Sequence, residues 1–65
     1  MGAKRFIEVK IDGAKGVDLI AIDAIVRLRS SELGSVMYLQ GSAAPLYLTD
    51  DAEDLRMEIQ EVLAR

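Results

Sequence analysis

Two short segments in the second half of the chain are apolar on both of their faces. In SVMYLQ (35–40), Val36 and Tyr38 point one way, Met37 and Leu39 the other. In PLYLT (45–49), Leu46 and Leu48 oppose Tyr47. Side chains alternate along a strand, so a β-layer built from these segments has two oily sides to cover. The chain offers one amphipathic helix, at its C-terminal end, and one helix covers one face. Two arrangements satisfy that constraint. The sheet curls into a small barrel with one face inward, or a second copy of the chain covers what is left.

The second arrangement is favoured by the size of the chain. At 65 residues, a single core buries only about 60% of the surface that the unfolded chain exposes. Domains this small commonly add a disulfide, a metal or a partner subunit. The sequence contains no Cys and no His, which removes disulfides and the usual zinc ligands. Self-association is the remaining device, with a homodimer as the commonest closed form and a higher homo-oligomer as the alternative. Met37, Leu39 and Tyr47 are the expected interface residues. No cofactor is expected.

The rest of the chain reads as one domain over residues 1–65, without repeats or a linker. In RFIEVKI (5–11), Ile7, Val9 and Ile11 alternate with Phe6, Glu8 and Lys10, the pattern of a half-buried strand. Asp12–Gly13 marks a turn. VDLIAIDAIVRLR (17–29) is ambiguous. Helical spacing runs through Leu19, Ile22, Ile25 and Val26, but the Ile/Val content favours extended structure with a bend near Asp23–Ala24. In its second half, Val26 and Leu28 are expected on one face, and Ile25, Arg27 and Arg29 on the other. Turns follow at 30–34 and 41–45. Pro45 lacks an N–H and suits a strand start. Asp50 is the expected helix N-cap, with Glu53 three residues on, and Thr49 is the alternative. Leu55, Ile59, Val62 and Leu63 form an apolar stripe at helical spacing. The expected fold class is therefore α+β: a small antiparallel sheet or partly open barrel of four to five strands, followed by one C-terminal amphipathic helix.

Charge narrows the partners. The net charge is −3, and residues 50–65 carry six acids against Arg56 and Arg65. That balance disfavours broad nucleic-acid binding, which needs a positive surface. The first sixteen residues are basic through Lys4, Arg5, Lys10 and Lys15. Charges break every apolar run well short of the roughly 20 residues that span a bilayer. Glu8, Lys10 and Asp12 interrupt what would be the core of a signal peptide. A cytoplasmic location is expected, without a membrane partner, and the Met1–Gly2–Ala3 start is compatible with a cloning remnant.

Chemistry-bearing patterns are few. Without His or Cys the common nucleophile–base pairs are missing, so no enzymatic activity is expected. The acids Asp50–Asp51 and Glu53–Asp54 suit helix capping and dipole compensation better than acid–base work. The glycines match neither a P-loop nor a dinucleotide fingerprint. Arg27 and Arg29 share a strand face, and Lys10 joins them in a cationic stripe if the strands are neighbours. Lys10, Arg27 and Arg29 are thus the candidate ligand-binding residues for a phosphate-like anion. A solvated edge that resists aggregation is the plainer reading. Tyr38 and Tyr47 suit an interface or stacking on a flat ligand.

Two family patterns are similar to this layout. FIEVKIDG (6–13), IDAIVRL (22–28), SVMYLQG (35–41) and LYLTDDAEDL (46–55) resemble, in order, the strands, Gly turns and acidic helix start of FlbD-type small flagellar proteins. That resemblance implies a small non-enzymatic regulatory or accessory protein. Residues 35–59 resemble the strand, Ala-Pro turn, strand and helix of the carbon storage regulator family, which are RNA-binding dimers. Thr49–Asp50–Asp51 stands where that family carries a basic residue, and acids there repel phosphate. The functional expectation is a non-enzymatic binding or regulatory module acting as a homo-oligomer through protein contacts. The alternatives are a small oligomer that sequesters a nucleotide-like anion, as a phage-encoded protein would, or an RNA-binding regulator of the carbon storage type.

Overall fold

The structure, a computed structural model, describes residues 5–65. Lys4 and the Met1–Gly2–Ala3 start lie outside the described residues. Five strands precede one helix: β1 (Phe6–Val9), β2 (Asp18–Ala21), β3 (Ile25–Ser30), β4 (Ser35–Leu39), β5 (Leu46–Leu48) and α1 (Ala52–Leu63). This is the expected α+β class, with antiparallel strands in two sheets that do not close.

β1 pairs with β2, and β3, β4 and β5 pair in that order. The chain just past β1 joins the two sheets. Ile11 bridges Leu48; the Asp12 N–H donates to the Tyr47 carbonyl at 2.8 Å, and the Thr49 N–H to the Lys10 carbonyl at 2.9 Å. β2 runs into β3 through a 3-10 turn, Ile22–Ala24, at the bend expected from Asp23–Ala24. The helix bridges β1 and β3, two strands that do not pair with each other.

The interior follows from the alternation. Ile7, Val9, Met37, Leu48 and Leu55 are buried together. Ile11, Ile20, Ile22, Ile25, Leu28, Leu39, Leu46, Ile59 and Val62 pack around them. Packing within the chain, without closure of a barrel, therefore covers one of the two oily faces. Met37 is 0% exposed in its own chain, and Leu39 is half-buried against the same cluster. The expectation that Met37 and Leu39 meet a second copy gives way, because both side chains pack into the chain's own core. Tyr47 alone of the three stays open, at 59% exposure.

Two local expectations also change. The register shifts between Ile25 and Arg27, so one extra residue sits in β3. A bulge of this kind reverses the alternation. Ile25 turns inward beside Leu28, while Val26 is 66% exposed, the reverse of the expected face assignment. The helix N-cap is Asp51, whose carboxylate accepts from the Glu53 N–H at 3.2 Å. Asp50 is engaged elsewhere: its Oδ1 accepts the Lys10 N–H at 2.6 Å. Its carbonyl accepts the Ser35 hydroxyl at 2.9 Å.

Ser35 is the buried polar residue of the core, 1% exposed. Ser35→Ala deletes the donor and leaves the Asp50 carbonyl short of a partner, an expected loss of about 1–2 kcal/mol. Urea unfolding measures it, and an unchanged midpoint would show that this tie contributes nothing.

Candidate functional site

The bulge in β3 sets the outer surface. Beyond it, Arg27 and Arg29 both point away from the core and are exposed. Arg27 lies opposite Tyr38, and Arg29 opposite Val36. Val36 in turn lies opposite Tyr47. The outer face of the three-stranded sheet is thus a grid of two arginines, two tyrosines and a valine. Cross-strand neighbours stand about 5 Å apart, close enough for direct contact. The Arg27 guanidinium sits 5.7 Å from the centre of the Tyr38 ring, a cation–π distance. Among the described residues neither Arg27 nor Arg29 forms an ion pair. Positive charge and apolar area therefore coincide on one surface, with no acid at the outward positions of its strands.

Lys10 does not join them. It follows β1, beside β5, whereas Arg27 and Arg29 lie on β3. Three strand steps separate the two places, about 14 Å along the sheet at the usual interstrand spacing. The expected stripe of Lys10, Arg27 and Arg29 is not assembled, because β4 and β5 stand between its members. The Lys10 backbone has a structural role instead, held on both its N–H and its carbonyl.

The acids at the helix start work within the helix. Asp51 caps it. Glu53 pairs with Arg56, whose Nε donates at 3.2 Å to Oε1. The hydrogen-bonded Arg56 guanidinium holds the Glu53 carboxyl below its ordinary value. This surface pair's help to folding therefore fades as pH falls through the carboxylate range. A cleft of about 240 Å³ opens beside it, lined by Leu28, Ser30, Ala52, Glu53 and Arg56. Its two charged groups are already paired with each other. Among the described residues no three His, Cys, Asp or Glu side chains gather into a metal-binding group.

Alternation missed Val26 and Val36 as members of the outer surface. The bulge exposes Val26, and Val36 belongs to the outer face only once β4 has turned Met37 inward. Nothing in the residue types announces either. No family model, no curated protein and no solved structure matches this chain.

Proposed function

We propose that this chain is a non-catalytic binding module that acts through protein contacts, as a homo-oligomer, with the outer face of the β3–β5 sheet as its contact surface. One observation carries the reading: Arg27, Arg29, Tyr38 and Tyr47 share that face, and the arginines have no acidic partner of their own among the described residues. Tyrosine and arginine are the residues that interfaces concentrate, because each adds large contact area and a polar group. The regulatory part of the proposal rests on the pattern shared with FlbD-type proteins. A cytoplasmic setting fits the lack of cysteine.

The same unpaired arginines favour one second reading, capture of a phosphate-like anion. Native mass spectrometry of freshly purified protein separates the two. The expected result is a protein-only species larger than one chain, which dissociates on dilution. A co-purifying anion that disappears in Arg27→Ala/Arg29→Ala would replace the proposal with anion capture. Salt-sensitive RNA binding would move it toward the carbon storage pattern.

A further inference from the structure

We propose that the outer face of β3–β5 docks the outer strip of α1 from a second copy of this chain. The inference rests on the protein-contact reading above and names its occupant. Asp54, Met57, Glu58 and Glu61 follow one another at i, i+3, i+4 and i+7, so they share a strip of the helix. Ala52 and Leu55 are buried on the side that meets the chain's own core. Met57 is 55% exposed, and Asp54 and Glu61 are exposed beside it. The strip therefore has an apolar centre and an acidic rim, although Glu61 also lies 3.9 Å from the exposed Arg65 guanidinium at the end of the helix.

The sheet face is its complement. Arg27 and Arg29 supply positive charge without a partner of their own among the described residues, and Tyr38, Val36 and Tyr47 supply apolar area. A methionine thioether packs well against tyrosine rings. Dimensions agree as well. Twelve helical residues run about 18 Å, and the six residues of β3 run about 20 Å. Within one chain the two surfaces cannot meet, because Leu55 anchors the helix to the interior side of the strands. Two copies can bring them together. Charge complementarity makes such docking weaken as salt rises.

Sedimentation across a dilution series tests the proposal with two charge-reversed variants, Arg27→Glu/Arg29→Glu and Asp54→Arg/Glu61→Arg. All four positions are exposed, and circular dichroism checks that each variant keeps its fold. The parent is expected to associate. Each variant alone is expected to bind itself at least about tenfold more weakly, since like charges then face each other. Mixing the two is expected to restore association, because the acidic sheet of one then meets the basic helix of the other. Association that survives in both variants alone overturns this docking and leaves self-association standing. A parent that stays a single copy at every concentration overturns the docking and the homo-oligomer reading together. Binding of an RNA oligonucleotide or inorganic phosphate that is lost in Arg27→Glu/Arg29→Glu, with the copy number unchanged, gives the face to an anion and overturns the docking.

Discussion

Replacing Gly34 with alanine is expected to cost at least about 3 kcal/mol, a large share of the roughly 3–10 kcal/mol that a domain of this length holds. Gly34 closes the β3–β4 connection, where its N–H and carbonyl exchange hydrogen bonds with Ser31 at 3.3 and 3.0 Å. A β-carbon there would lie 2.5 Å from the Leu48 carbonyl oxygen and 2.7 Å from the carbonyl carbon and oxygen of Thr49. These are backbone atoms, so no side chain can swing aside. The end of β5 must move, and with it the Ser35–Leu48 pairing and the Asp50 carbonyl that receives the Ser35 hydroxyl. Gly41 is the control. It has φ +80° and nothing within 4 Å of a built β-carbon. Gly41→Ala therefore carries only the conformational penalty of a left-handed residue, about 1–2 kcal/mol. Equilibrium urea unfolding of both variants decides the matter. A Gly34→Ala protein as stable as Gly41→Ala would mean that the β5 end yields freely.

Leu55→Ala is expected to cost about 2–5 kcal/mol, while Leu63→Ala stays within about 0.5 kcal/mol of the parent. The two leucines belong to the same apolar stripe, so periodicity alone treats them as equals. The structure does not. Leu55 is 1% exposed and touches the cluster of Ile7, Val9, Met37 and Leu48. Leu63 is 50% exposed at the end of the helix. A twelve-residue helix is marginal in water without a surface to pack on, so loss of the Leu55 anchor should lower helical signal as well as stability. Thermal and urea melts followed by circular dichroism measure both. Equal losses from the two substitutions would contradict the placement of the helix.

Much of the architecture was legible from short-range pattern. Ile7, Val9 and Ile11 alternate with Phe6, Glu8 and Lys10, and the structure buries Ile7 and Val9 and half-buries Ile11. The Asp23–Ala24 bend, the turns and the helix at the C-terminal end all lie where residue types favour them. Each of these depends on neighbours within about four positions, which is the range over which alternation, capping and helical spacing operate. The N-cap slipped by one residue because Asp50 answers a backbone N–H forty residues away in the chain. Local spacing carries no trace of such a claim. The candidate site was half legible: Arg27 and Arg29 share the outer face, while Lys10 is set apart from them by two strands.

The amino-acid order by itself settled where β1, β4, β5 and the helix form and favoured extended structure over 17–29, since periodicity and turn chemistry are written within a few residues. It also posed the problem of a β-layer that is oily on both sides. Which side turned inward was decided only by the tertiary structure. Met37 and Leu39 carry the same hydrophobic signal as Val36 and Tyr38, so alternation cannot rank them. In the folded chain Met37 and Leu39 pack with Ile7, Val9, Leu48 and Leu55, and the extra residue in β3 sets Ile25 beside them. Contacts between residues far apart in the chain select the interior, and local spacing does not encode them.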